Sequence, residues 1–502
     1  MKKIVQYRYE AYLFIIEAVY MIIELCAARV LSPYFGDSNI VWTSIIGIIL
    51  LSSSIGNSVG GRMADKPGIE RKLGALTVLT SVLVLAVPVL ADLILSCVVA
   101  LAPGAKLGAI TGTVLLFMPS AMVFGTVPPV ITKLKMNDLC TAGKTSGRLQ
   151  AVSTLGSIFG TFLGGFLLVP YFGCRTILVV MAMVIALTGT LLGRGEKDLL
   201  RILLVVFTSC ALVYVFSTMQ YDNEKAVREG EMGAFVEYDT QYSRVVILNG
   251  QDGKDAVRYM IVGDGCESAT FLAEDKKYEL AIDYTKNYDL MHQANISVRD
   301  VLMIGGGGYA YPKYCVSHYP DIFMDVVEID PMVTDLAKEY FFLDDALEQF
   351  NTKDCIRLNL INGDGKVYVN TTIKQYDAIC NDAFTGTTPV KSLATIETVR
   401  QIHAMLRPGG VYLSNVIGSA EGPGSGFLVA EVYTVGQVFP YVYAVPCLEE
   451  GTTWSATEVI NYMVVASDTP LSIPGAVELD LTDAVLLTDD YCPVDALVPT
   501  VR

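Results

Sequence analysis

VLMIGGGGYAYPKYCVSHYPDIFMDVVEID, residues 301 to 330, joins an apolar strand to a glycine-rich turn and closes the next strand with an acid. Val301 to Ile304 reads as a buried strand, and Gly305 to Gly308 let the backbone turn and approach a ligand without Cβ clashes. Glu328, at the carboxyl end of the strand Val326 to Ile329, lies roughly 20 residues beyond the glycines, where α/β nucleoside sites place a carboxylate for ribose hydroxyls. Outward from this stretch, expected strands at 300–304, 325–329, 356–360, 376–381 and 410–416 alternate with expected helices at 312–318, 331–341, 364–371, 395–406 and 424–436. Such alternation predicts an α/β, doubly wound, mostly parallel sheet with helices on both faces. Ala234 to Ile261 alternates apolar and polar residues around Asn249-Gly250 and Asp252-Gly253, which predicts a small antiparallel β unit, followed by a helix over 278–293.

The 502 residues are 52% hydrophobic with a mean hydropathy of +0.46, and the apolar excess lies before residue 220. Runs at about 11–32, 40–60, 73–102, 108–132, 149–171, 174–193 and 199–218 are each long enough to cross a hydrocarbon core of about 30 Å, so seven spans are expected. Pro88 and Pro128-Pro129 predict kinks or helix ends within them. The expected organisation is a multi-pass helical domain at 1–220, the β unit with a linking helix at 221–295 and the nucleoside-binding domain at 296–502. A formal charge of −16, carried mainly after residue 220, excludes a nucleic-acid partner and suits a cationic substrate. The 11 cysteines form no CxxC pair and no zinc spacing, so no metal is expected. Six of them, Cys266, Cys315, Cys355, Cys380, Cys447 and Cys492, lie in the polar half and are read as free thiols.

Further motifs follow the glycine turn: Asn362-Gly363-Asp364-Gly365 after one strand, Asn381-Asp382-Ala383-Phe384 after the next, and Leu406-Arg407-Pro408-Gly409-Gly410 before Val411 to Asn415. With them the chain resembles the spermidine synthase (polyamine aminopropyltransferase) family, and more closely its membrane-fused branch. ELCAARVLSPYFG at 24–36, GGRMADK at 60–66, FGTVPP at 124–129 and STLGSIFGTFLGG at 153–165 carry that likeness through the helical part, which is also similar to the first half of a major facilitator transporter. The resemblance implies a class I methyltransferase-like (Rossmann-type) sheet and an adenosyl sulfonium substrate, S-adenosylmethionine or its decarboxylated form, with no tightly bound cofactor. It implies that Glu328 holds the ribose, Asp364 accepts from the adenine amino group, and Gly305 and Gly307 pass beneath the nucleoside. Asp382 would then be the catalytic carboxylate, Tyr284 would orient the nucleophile, and Gln241 and Asp264 would lie near the mouth of the site. Competing readings make Asp364 and Asp382 helix caps, Tyr284 a core aromatic, and Gln241 and Asp264 turn residues.

Two positions depart from the family pattern. Gly308-Tyr309 stands where soluble members carry an acid that excludes a carboxylate, so intact S-adenosylmethionine is expected to be admitted. Thr385 replaces an acid that binds the acceptor amine. The expected activity is cleavage of the sulfonium C–S bond with release of methylthioadenosine and aminopropyl transfer to a polyamine-type amine. The alternatives are a lyase or cyclase without an acceptor, a methyltransferase, and a transporter or sensor that only binds the nucleoside. A lipid bilayer is an expected partner, a homo-oligomer is left open, and the location is a plasma (inner) membrane. Fourteen Lys/Arg lie at the N-terminus and in the loops near 62–72, 133–148 and 194–201, against Arg29, Lys106 and Arg175 on the other face. With seven crossings that bias favours an extracytoplasmic catalytic domain.

Overall fold

The computed structural model describes residues 7–36, 39–101, 104–136, 141–192, 196–263, 265–385, 387–448 and 451–499. The chain divides into two units, one of residues 1–222 with 237–244 and the other of 223–236 with 245–502.

Five helices among the described residues are long and apolar enough to cross a membrane: Arg8–Phe35, Val41–Ala64, Lys72–Leu101 and Ala142–Tyr171 in the first unit, and Leu199–Arg228, whose last turns belong to the second. A sixth crossing arises if Lys106–Leu116 and Met118–Lys135, bent by 56°, make one span. Cys174–Thr188 has 15 residues and runs straight into the 3-10 turn Gly189–Leu192, so the helical segment Cys174–Leu192 falls on the expected run 174–193 without being a long α-helix throughout. The bend follows Phe117, because Pro119 lacks the N–H that would continue the ladder; the kink expected at Pro128-Pro129 is a second helix break, at Thr126. Helices approach closely through glycine. A Cβ on Gly156 or Gly160 would collide with the carbonyls of Phe14 and Ala18, so Ala142–Leu163 lies directly against Arg8–Phe35. Asp92, inside an apolar run, is paired with Arg175 at 2.8 Å. Arg29 donates to the carbonyls of Gln241 (2.7 Å) and Tyr242 (2.5 Å).

Strand β1 is Phe235–Asp239. In the second unit β2 (Arg244–Asp252), β3 (Asp255–Val262) and β4 (Gly265–Phe271) pair antiparallel in sequence order. The sequence pattern missed β4, whose GCESATF has one large apolar side chain. Where one helix was expected over 278–293, Asp283–Lys286 makes a single α-turn and Asn287–Gln293 is a 3-10 helix.

The main sheet comprises β5 (Asp300–Ile304), β6 (Phe323–Glu328), β7 (Leu358–Asn362), β8 (Tyr376–Asn381), β11 (Leu406–Gly418), β12 (Tyr441–Pro446) and β13 (Ile460–Ser467), with β9 (Phe384–Thr385) and β10 (Thr388–Pro389) a two-stranded hairpin after β8. Its order is β12-β13-β11-β8-β5-β6-β7. β7, β6, β5, β8 and β11 run parallel, while β13 is antiparallel to both β11 and β12. β12 thus runs with the other five, and six parallel strands with β13 inserted antiparallel are the class I methyltransferase-like arrangement. The central strands are apolar on both faces because helices cover both, and Leu302, Ile304, Ile379, Tyr412 and Val399 meet in one core. At the amino ends Asp377 accepts from the N–H groups of Arg299 and Asp300 (both 2.9 Å) and from Arg407 (2.8 Å), tying β5, β8 and β11 together.

Candidate active site

The chain passes from β5 to β6 on one side and returns to β8 on the other, so a crevice opens at the carboxyl ends of β5 and β8, where such sheets bind ligands. Two turns meet there. Gly305 has φ +98°, and a Cβ on it would strike the carbonyl of Asp382. Asp382 N–H donates to Ile304 O at 2.8 Å, and Gly305 N–H to Val327 O at 2.9 Å. Only glycine satisfies both the left-handed backbone and this approach.

Glu328 binds the glycine turn itself. Its Oε2 accepts from the N–H groups of Gly306 (2.8 Å) and Gly307 (3.3 Å), and Oε1 accepts from Asp330 N–H (2.9 Å). Burial raises its carboxyl above the usual range, and these three bonds offset part of that rise. Ionised oxygens keep spare lone pairs, so the carboxylate that shapes the turn can still accept from a hydroxyl. Tyr309 closes the turn in the left-handed region at φ 54°, with its buried hydroxyl 2.8 Å from Thr334 Oγ1.

Asp382 follows β8 with its side chain partly open to solvent and otherwise enclosed. Asn415 Nδ2 donates to Oδ1 at 2.9 Å, and Tyr284 Oη lies 3.3 Å from Oδ2 and 3.3 Å from Glu267 O. Asn461 Nδ2 holds Asn415 by donating to its Oδ1 at 3.0 Å. The Tyr288 hydroxyl, wholly buried beside Asp382, meets no partner in hydrogen-bond geometry. Burial pushes the Asp382 carboxyl up to about 6, against the lowering effect of these donors. A carboxylate of that strength is ionised at neutral pH and still basic enough to take a proton.

Asp382, Tyr284, Gly305, Gly307 and Glu328 therefore lie around one crevice. Asp382 caps no helix, since the β9–β10 hairpin follows it. Asp364 does cap one: its Oδ1 accepts from Val367 N–H at 2.9 Å at the start of Gly365–Thr371. Gln241 sits in a tight turn of the segment that packs with the helices, where Thr240 Oγ1 accepts from the N–H groups of Tyr242 and Ser243 (both 3.0 Å). Asp264 and the side chain of Thr385 lie outside the described residues. At Gly308 an added Cβ would meet Ser268 Oγ at 2.6 Å and Phe341 Cδ1 at 2.9 Å, so any side chain there would require Ser268 to move. Asn415, Asn461 and Tyr288 were missed; the available signal was a polar residue ending the apolar strand VYLSN beside the strand that delivers Asp382.

Residues 284–458 match the family described as "Spermine/spermidine synthase domain". The polyamine aminopropyltransferase of Vibrio vulnificus is 32% identical over 124 residues, covering 24% of this chain and 38% of that protein. Putrescine N-methyltransferase 2 of Nicotiana attenuata is 34% identical over 113 residues, covering 22% of this chain and 29% of that protein. The chain thus spans well under half the length of either. A solved structure, a probable spermidine synthase from Corynebacterium glutamicum, aligns with TM-score 0.39 and 19% identity over 47% of this chain and 81% of that one.

Proposed function

We propose that this chain, whose residues 284–458 carry a spermine/spermidine synthase domain, is a membrane-bound aminopropyltransferase acting on an adenosyl sulfonium compound and a polyamine-type amine. Asp382 carries the reading, as a carboxylate fixed by Asn415, faced by Tyr284 and set over the glycine turn. In the proposed step the neutral amine attacks the propyl carbon bonded to sulfur. The C–N bond forms as the C–S bond breaks, its electron pair neutralises the sulfonium, and methylthioadenosine leaves. The new ammonium gives its proton to Asp382. Sulfonium needs no acid assistance, so the protein's task is in-line placement and proton acceptance. Glu328 would hold the ribose hydroxyls and Asp364, beside its capping bond, the adenine amino group.

The bilayer assignment rests on the long apolar helices, whose outward residues include Leu50, Leu93, Leu101, Phe166, Leu204 and Phe207, all exposed. A methyltransferase is the second reading, favoured by the comparable similarity to a putrescine N-methyltransferase. Mass spectrometry of the released nucleoside decides between them. Methylthioadenosine from the decarboxylated substrate with a diamine is expected; S-adenosylhomocysteine from S-adenosylmethionine would establish methyl transfer. Release of neither would leave a domain that only binds.

A further inference from the structure

Beside Asp382, between β8, β11 and the helix Gly426–Gly436, lies a cavity of about 10 Å³, enough for one water-sized group. Asn381, Ser414, Asn415 and Glu431 supply its polar lining, with Ala383 and Phe427 among the apolar walls. Glu431 is 1% exposed and Asn381 8%. Glu431 Oε2 and Asn381 Oδ1 are both buried without a hydrogen-bond partner, an arrangement that native interiors seldom leave unfilled.

Several donors around this cavity are engaged elsewhere. Ser414 Oγ donates to Glu431 Oε1 at 3.3 Å, Asn381 Nδ2 to Tyr412 Oη at 3.3 Å, and Asn415 Nδ2 to Asp382 at 2.9 Å. What faces inward is a set of acceptors: a carboxylate oxygen, an amide oxygen and the lone pairs of a hydroxyl. An ammonium head has three donors, no lone pair and a positive charge. Among the described residues no Lys, Arg or His forms an ion pair with Glu431, and burial pushes its carboxyl up to about 8, so without a cation beside it the group is largely neutral at neutral pH. A buried carboxylate is stable as an anion when a cation joins it.

We propose that this cavity is a subsite for one ammonium group of a di- or polyamine acceptor, held by Glu431, Asn381 and Ser414 while the reacting nitrogen lies at Asp382. The inference rests on the amine-acceptor reading. Asn381 and Ala383 flank Asp382 in the chain, and Asn415, which lines the cavity, also bonds to Asp382, so the two polar sites share a side chain.

The test uses the full chain in detergent, saturated with methylthioadenosine and titrated calorimetrically with 1,4-diaminobutane and with butylamine. The wild type should prefer the diamine by roughly tenfold or more. Glu431→Gln, which keeps shape but removes the charge, should weaken diamine binding roughly tenfold to a hundredfold, the range of a charge-assisted contact, and abolish the preference. Affinity for methylthioadenosine, measured alongside, should not change. Ser414→Ala should act in the same direction to a smaller degree, and it decides the matter if Glu431→Gln loses the nucleoside. Retained diamine preference with intact nucleoside binding in these variants would overturn the subsite alone. Failure of the wild type to bind either amine while binding methylthioadenosine would overturn the acceptor reading, and the subsite with it.

Discussion

Asp382 lies at the boundary between buried and solvated. Enclosure raises its carboxyl to about 6, while the Asn415 bond and the nearby Tyr284 hydroxyl keep it oriented toward the crevice. Asp382→Asn should lower methylthioadenosine release by about 10²–10⁴-fold, since an amide accepts no proton, and leave nucleoside affinity nearly intact. Turnover at the wild-type rate would remove Asp382 from the chemistry. The pH profile gives an independent check. An amine with an ordinary pKa of roughly 10 must be neutral to attack, so log rate should rise with a slope of about one through neutral pH. Below about 6 Asp382 is protonated as well, and the slope should steepen to about two. A slope of about one persisting to pH 5 would contradict proton transfer to Asp382. Glu328 holds the N–H groups of Gly306 and Gly307, and in the proposed site it would receive the ribose hydroxyls as well. Glu328→Ala should cost about 1.5–3 kcal/mol of affinity for any adenosine ligand and speed amide exchange at both glycines, read by calorimetry and hydrogen exchange.

At the scale of elements, the sequence pattern located what periodicity and turn chemistry govern. VLMI, MDVVE and DAIC are apolar on both faces of the sheet, and each ends in a glycine or an acid at the crevice, so β5, β6 and β8 with their loop residues were readable. β4 was not, because its small residues carry no alternation, and 278–293 was over-read as one helix. Asn415 and Glu431 escaped for another reason: their importance lies in contacts across the sheet and with a helix, which spacing along the chain does not encode. In the helical unit GSIFG at 156–160 was read only as part of a family likeness, whereas the structure gives it a packing reason. Gly160→Leu should force Ala142–Leu163 off the carbonyl of Ala18 and destabilise the unit by about 1–3 kcal/mol in thermal unfolding. Gly147→Ala, in the same helix with nothing within 4 Å of its Cβ position, should be neutral or stabilising by up to about 1 kcal/mol. Equal effects of the two would remove the close crossing.

For the whole molecule, the number of crossings decides which side of a bilayer holds the catalytic unit. Seven spans with the basic loops inside would place it outside, away from where adenosyl sulfonium compounds are made. The described helices give five full spans, and the bent pair Lys106–Leu116 with Met118–Lys135 makes six. The fourth expected crossing was this pair, and the sixth was Cys174–Thr188 with the 3-10 turn Gly189–Leu192 after it. Six crossings would return the chain to the side of its N-terminus, which the excess of Lys/Arg at the N-terminus and in the loops near 62–72 and 133–148 assigns to the cytoplasm, at the cost of placing Arg194, Lys197 and Arg201 on the far face; counting Cys174–Leu192 makes seven. With six, the proposed substrate and the site share a compartment. Cys266, an exposed thiol in the catalytic unit, reports the side directly. In intact cells a membrane-impermeant maleimide should leave it unmodified, and labelling should appear only after permeabilisation and be lost in Cys266→Ser. Labelling of intact cells would mean an odd number of crossings, with Cys174–Leu192 as a further span or the bent pair entering and leaving by one face.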